Sequence, residues 1–346
     1  MNKKFIAFWI MVYMYFAMAV TGMSQQTNTT KIIALPQIMK PNAIHVDAQH
    51  VYISEGTTVH IYRRKDFKLL KSFGSSGEGP QEFKPFDGPY PIVLVIKPNI
   101  LVIYSVAKSS YYKKDGTFIK EKREKGDKTY FVVGKNYLGT EMVSGNKERD
   151  YLVQYLYDSH YKKIKEIVRM VMPIQFDKKE WYFFIQAFYP RFLGEHFYYV
   201  NGTDFQIDVF NFRGEKISVI KHDYKRVKIT EKHINAAHEW FRTRHPNKMM
   251  YDKFKSWFKF PENFPAIKSF RVAGDHIYAQ TYKRKRNLVE FIIFTLKGKF
   301  VKTLWLPVCP LNITEDCPYT FKDGKFYHLM DDIEKEEWTL HIIPLE

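Results

Sequence analysis

Phe73-Gly74-Ser75-Ser76-Gly77-Glu78-Gly79-Pro80-Gln81-Glu82-Phe83 is a glycine loop that closes a group of three short apolar-alternating runs, 51–53, 59–62 and 69–73. Alternation with period two, bounded by Gly and Pro, reads as β-strand, and several such strands at even spacing read as an all-β repeat. Tight-turn signals place the repeat: Lys65-Asp66, Asp115-Gly116, Ser159-His160, Arg213-Gly214 and Lys297-Gly298 recur every 45 to 55 residues or so, except for a last gap of 84. Removing an interruption at 230–265 brings that gap to 48, so the period holds along the chain. Each turn joins an aromatic or β-branched run to an alternating one, and two further strands precede each pair, as at 43–46 with 51–54, 92–96 with 101–104, and 267–272 with 276–280. Four antiparallel strands per unit is a propeller blade.

The sixth unit is one strand short. Runs at 319–321, 326–330 and 338–343 supply three strands before the sequence stops, while the strand-like run 31–35 has no partner ahead of blade one. Placing 31–35 as the outer strand of blade six closes the ring and removes open sheet edges. The expected fold is therefore all-β: a six-bladed β-propeller of four-stranded antiparallel blades over 25–346, closed by an N-terminal strand, with a small helical insertion (230–265) between blades four and five. In the insertion, Ile234, Ala237, His238 and Phe241 stand at helical spacing, and Met249, Met250, Lys253, Phe254, Trp257 and Phe258 suit a second short helix.

The segment 43–120, with Phe73-Gly74, Gly77 to Phe83 and the turn after Tyr111, resembles the NHL-like six-bladed β-propeller proteins of bacterial envelopes. The resemblance is strongest over blades one and two and specific for fold. Propellers of that kind serve as binding scaffolds, lyases and hydrolases alike, so it implies an architecture and leaves the activity to a site.

Composition sets the remaining bounds. With 45% hydrophobic and 17% aromatic residues in 346, the chain has enough apolar surface for a large core. Lys3 and Lys4 precede an uncharged apolar run at 5–20, followed by small and polar residues: a signal peptide over 1–24. That run is short for a bilayer-spanning helix, which takes roughly 20 residues. Localisation is expected to be secreted or periplasmic, the alternative being an inner-membrane anchor through an uncleaved signal segment. Loss of Lys3 and Lys4 lowers the formal charge from +17 to +15, which suits an anionic partner. Lysines scattered over the hairpins also protect strand edges from aggregation. Export argues against nucleic acid, and membrane contact is expected only through the signal segment or surface charge. Cys309 and Cys317 are the only cysteines. Export would let them persist as a disulfide, worth about 2 to 3 kcal/mol in the chain-entropy model.

In a propeller of this strand order, the second-to-third-strand loops and the blade-to-blade connections emerge on one face, around the channel mouth. The glycine loop, the aromatic segment Trp181 to Phe184, the insertion and the cysteine loop all belong to that face, as do the second-to-third loops. Candidate binding residues there are Glu55, Arg149, Trp181, Asp204, His238, Trp240, Arg244 and Arg284. Cations of the Lys283-Arg284-Lys285-Arg286 tip beside tryptophans would suit an acidic glycan, a peptide carboxylate or a lipid phosphate. The bland readings are an exposed basic turn and an apolar cover for the propeller top.

Several chemistries are not supported. The glycine loop lacks the Lys-Ser/Thr ending of a P-loop, its Glu78 and Glu82 would repel phosphate, and Pro80 has no N–H to offer. No Gly-x-Ser-x-Gly elbow is present, and no cysteine stands beside a base. The histidines are scattered, so no metal site and no cofactor is expected. His45, on an inner strand, is the best single candidate for the metal-lyase alternative that the family resemblance admits. The expectation is a monomeric, non-catalytic module that recognises a peptide, glycan or envelope protein on its loop face. The alternative is a lyase or hydrolase at the channel mouth, under the insert.

Overall fold

Strands that are covered on both faces need continuous apolar character, whereas those facing solvent alternate or turn polar. The second and third strands of blade one, His50–Glu55 and Thr58–Arg63, are buried along four consecutive positions each, while its outermost strand, Leu69–Phe73, is mostly exposed. This gradient from buried middle to polar rim recurs around the molecule. The computed structural model describes residues 30–86, 91–123, 130–145, 149–185, 190–243, 245, 247–310 and 316–345. The segment read as a signal peptide and the candidate residue Arg244 lie outside the described residues.

Six four-stranded antiparallel sheets form among the described residues, each pairing its strands in sequence order except the last. That last sheet joins Tyr319–Lys322, Lys325–Asp332 and Glu337–Pro344 to the N-terminal strand Lys31–Leu35. The register runs from Lys31 opposite Ile342 to Leu35 opposite Trp338, so the chain start supplies the rim of blade six as expected. Trp338 Nε1 donates to Met39 O at 2.8 Å just after the closing strand.

Neighbouring blades pack through separate apolar layers. Leu35, Ile44, Ile53 and Leu340 lie between blades six and one, Ile61, Leu94 and Tyr112 between one and two, and Leu156, Phe197 and Phe210 between three and four. Blades two and three meet through the Tyr104 and Phe131 rings, 5.1 Å apart, and through Val132 N, which donates to Tyr104 Oη at 3.2 Å. Similar layers join four to five and five to six. The ring is thus continuous.

All five turn signals fall between third and fourth strands, and each of those hairpins carries a register shift on its third strand close to the turn. Gly116 and Gly214 sit there at positive φ, +79° and +74°. Each also nests on the preceding blade: an added Cβ would lie 2.9 Å from Ile61 Cδ1 at Gly116 and 2.8 Å from Ile167 Cδ1 at Gly214. Glycine is required twice over, by conformation and by space. Blades one and three have no glycine at this turn, and Phe67 and Tyr161 take the left-handed conformation instead.

The insertion is less regular than a helical hairpin. Its one long helix, Glu231–Thr243, is followed by a single α-turn, Tyr251–Phe254, between two 3-10 turns. Phe258–Lys259 then pairs in parallel with Glu180–Tyr182, which also pairs with Ile174–Gln175. The aromatic stretch around Trp181, expected as plain loop, is therefore a strand that fastens the insert to the connection between blades three and four.

Candidate binding face and central channel

Hydrogen bonds sort the loops into two faces. Ala266 N donates to Thr203 O, Met172 N to Asp150 O and Val106 N to Lys84 O, so three blade-to-blade connections each lie against a second-to-third loop. On the opposite face Arg64 N donates to Gln49 O, joining a third-to-fourth turn to a first-to-second turn. A shallow hollow on that turn face, lined by His50, Arg63, Arg64 and Leu70 among others, lies away from the elaborated loops.

The insert covers the loop face with an aromatic cluster. Phe183, Phe184, Phe241, Phe254, Phe258 and Phe264 are buried together. Trp181 stands edge-on to Phe241, Phe254 and Phe258 at 5.0, 5.5 and 6.0 Å. Trp240 packs edge-on against the His245 ring at 4.9 Å. His238 Nδ1 lies 3.0 Å from Tyr251 Oη, its ring is 5.1 Å from Phe258, and burial lowers its pKa. Trp181, His238 and Trp240 are therefore brought together, in the packing of the cover. The insert reaches the basic hairpin where Phe264 stacks on Tyr282 at 4.2 Å.

The other candidates have separate neighbours. Glu55 accepts from the backbone N–H of Met39 and Lys40 and lies 3.4 Å from His60 Nε2. Arg149 lies over the Tyr182 ring at 5.6 Å. Asp204 is exposed, 3.9 Å from Arg226. Arg284 pairs with Asp316 Oδ1 at 3.3 Å. Glycine-loop carbonyls, not N–H groups, face the neighbouring cations: Lys108 Nζ donates to Gly79 O at 2.9 Å and Arg123 to Glu78 O at 2.9 Å. That arrangement pins a turn and offers no phosphate cradle.

Cys309 and Cys317 stand opposite each other beside the Pro310–Asp316 bridge, with Cys317 N donating to Cys309 O at 2.8 Å. They carry free thiols in this structure. A hydrogen bond from Cys317 favours the Cys309 thiolate and lowers its pKa to about 7, while the Cys317 thiol is pushed up by the same contact and by burial.

Asp316 is the hub of a polar network that residue-by-residue reading missed. Its Oδ2 accepts from Lys268 Nζ and from Gln280 Nε2, both at 2.7 Å. Gln280 Oε1 in turn accepts from Ser269 Oγ and Tyr319 Oη, each at 2.7 Å. Lysine, arginine and amide around one nearly buried carboxylate satisfy its charge.

No protein-family model matches the sequence, and no curated protein is similar to it. Among solved structures, the chain is similar to the WD40 domain of Neurospora crassa Pan2 at 7% identity, covering 93% of this chain and 98% of that one, with a TM-score of 0.45. It is also similar to Kluyveromyces lactis Hsv2 at 12% identity (88% and 73% covered, TM-score 0.39) and to luciferin-regenerating enzyme at 9% (92% and 96% covered, TM-score 0.40). The propeller assignment rests on the strand pairing itself, and at such scores these likenesses carry no function.

Beneath the mouth, the inner strands define the channel. Six inner-strand residues occupy one register position, each opposite the corresponding residue of the second strand: His45, Val95, Phe131, Arg191, Arg271 and Thr320. The six inner strands contain no Asp or Glu. Arg191 and Arg271 are held alike. In each, Nη1 donates to the carbonyl of the preceding residue, Pro190 or Phe270, and Nε donates to the next blade, at Phe270 O or Tyr319 O. His45 keeps some solvent contact but is surrounded by protein. This desolvation, with the charges of Arg271 and then Arg191, lowers its pKa to about 4. Two guanidinium groups beside His45 disfavour a metal cation there, and the described residues contain no cluster of three or more His, Cys, Asp or Glu. A signal for the arginines was present: Arg191-Phe192-Leu193-Gly194-Glu195-His196 and Arg271-Val272-Ala273-Gly274-Asp275-His276 align position for position.

Proposed function

We propose that the chain is an NHL-like binding propeller of the cell envelope, exported by the segment 1–24, which recognises a peptide, glycan or protein partner on its loop face. The observation that carries this reading is the union of insert, basic hairpin and cysteine loop into one surface, through the Phe264–Tyr282 stack and the Arg284–Asp316 pair. Loops fixed over a rigid ring are where recognition residues gather. The Lys285 and Arg286 side chains project from the same hairpin as exposed cations, which favours a partner with acidic groups. Binding to arrays of acidic glycans and peptides tests it: Lys285→Glu with Arg286→Glu should abolish capture while leaving the melting temperature unchanged. Equal capture by both proteins would remove the loop face as the site.

A second reading, a lyase or hydrolase in the channel mouth, is favoured by one observation: His45 stands at the same level of the inner strands as Arg191 and Arg271, which sets an imidazole beside two cations that would orient an anionic substrate. A panel of polyuronides and ester substrates, with His45→Gln as the control, tests it. Turnover by the parent protein that persists in the variant would exclude His45 as the base.

A further inference from the structure

Two thiols meet at the connection between blades five and six. The antiparallel bridge between Pro310 and Asp316 sets Cys309 and Cys317 opposite each other, and Cys317 N donates to Cys309 O at 2.8 Å. Opposed residues of an antiparallel pair have Cα atoms about 4.5–5.5 Å apart, inside the roughly 4.4–6.8 Å that a disulfide spans, and their side chains share one face. The two sulfurs differ in access. Cys317 is 1% exposed within the layer between blades six and one, whereas Cys309 packs against that layer and stays partly exposed.

Both sides of the pair are held. Asp316, next to Cys317, accepts from Lys268 and Gln280 at 2.7 Å each and from Arg284 at 3.3 Å. Cys309 N donates to His328 Nε2 at 3.3 Å, and the Asp331 backbone donates to the Cys317 sulfur. Contact with Cys317 is the largest cause that lowers the Cys309 pKa to about 7; the charge of Arg284 adds to it, while burial, Asp316 and Asp331 oppose it. The same contact and burial push the Cys317 thiol up. An accessible sulfur that ionises near neutral pH, beside a buried one that keeps its proton, is the division that thiol–disulfide exchange requires.

We propose that Cys309 and Cys317 form a thiol–disulfide exchange site, in which Cys309 attacks a disulfide presented at the loop face and Cys317 resolves the mixed disulfide. The Cys309 thiolate bonds to one sulfur of the substrate and its S–S bond breaks; the first half leaves as a thiolate and takes a proton from solvent. Cys317 then loses its proton, and its sulfur attacks that of Cys309. The mixed S–S bond breaks, and the second half leaves and is protonated in turn. Two electrons pass from the cysteine pair, which is oxidised to a disulfide, to the substrate, which is reduced to two thiols. Arg284 belongs to the basic hairpin whose Lys285 and Arg286 are exposed, so a disulfide flanked by carboxylates is the favoured class. The chemistry needs no capture of a loop-face partner and stands apart from that reading.

Mass spectrometry of the full chain tests this, after reduction, removal of reductant and incubation with glutathione disulfide or with an acidic peptide closed by one disulfide. The parent protein should lose two hydrogens and release both halves of the added compound as thiols. Reaction with glutathione disulfide alone marks a low-molecular-weight substrate, and preference for the peptide marks a polypeptide one. Cys317→Ser, and equally Cys317→Ala, should stop at a mixed disulfide on Cys309, and Cys309→Ser should form an adduct about tenfold more slowly or less. Should the variants fail to fold, limiting iodoacetamide on the reduced parent followed by peptide mapping decides the order, with Cys309 labelled first. A parent that reacts with neither compound, or keeps a stable mixed disulfide, would overturn the proposal, as would Cys317 labelling first or equal adduct rates in the two serine variants.

Discussion

Arg191 and Arg271, eighty residues apart in the chain, donate to one carbonyl oxygen, that of Phe270. Arg191 also donates to Pro190 O and Arg271 to Tyr319 O, so each guanidinium joins the carbonyl preceding it to one on the next blade, and the same contact is built twice, one blade apart. The pair acts on His45 across the channel. Replacing Arg271 by Gln should therefore raise the His45 pKa from its depressed value, though not to that of a free imidazole, because desolvation is the larger cause. An NMR titration of the His45 ring protons reads this directly. An unchanged His45 titration would mean that the two groups do not share the channel.

Acid should destabilise the fold in a defined window. His45 and His328 are depressed to about 4 and about 3, both chiefly by burial, so the unfolded chain takes up protons at higher pH than the native one does. Stability contributed by keeping them neutral is complete above their unfolded pKa near 6.5 and is lost as pH falls from there toward 4. His328 has a structural reason to stay neutral, since its Nε2 accepts from Cys309 N at 3.3 Å. Urea unfolding measured at intervals from pH 7.5 to 4 should show the free energy falling over that span, with a shallower slope in His45→Gln.

Two glycine substitutions separate conformation from space. Gly214→Ala meets both a positive φ and a Cβ position 2.8 Å from Ile167, whereas Gly194→Ala, at φ +58°, finds nothing within 4 Å. The first should cost roughly 2–4 kcal/mol and the second about 1 kcal/mol. Chemical denaturation of the two variants gives the comparison, and equal losses would contradict the nesting of each turn on the preceding blade.

Closure of the ring can be weighed at Leu35. Its side chain is buried in the layer between blades six and one, at the end of the strand that pairs with Glu337–Pro344. Leu35→Ala should destabilise by about 2–4 kcal/mol, the usual cost of a large-to-small change in a packed core. Hydrogen exchange should also rise in the strand Glu337–Pro344. If Leu35→Ala loses stability but exchange rises elsewhere instead, the closing strand is not what protects blade six.

The repeat was legible because its signals are local. Asp115-Gly116 and Arg213-Gly214 mark turns through backbone geometry that any reader of the chain can apply, and the unpaired run 31–35 had one economical place to go. The site was less legible. Trp181, His238 and Trp240 are aromatic residues on a ligand-prone face, but they pack against one another, since apolar rings brought together over a propeller top bury themselves before they bind anything. The disposition of Cys309 and Cys317, directly opposed yet carrying free thiols, likewise depends on the strand pairing around Asp316.

Period, turn position and the closing strand followed from the order of residues alone, because strand alternation and positive-φ turns are short-range properties. What lines the axis did not. A shift of one residue in register turns an inner-strand side chain from channel to blade interface, and only the assembled ring brings His45, Arg191 and Arg271 to one level. Their charge is ordinary along the chain and becomes consequential when three blades place it around one channel whose inner strands hold no carboxylate.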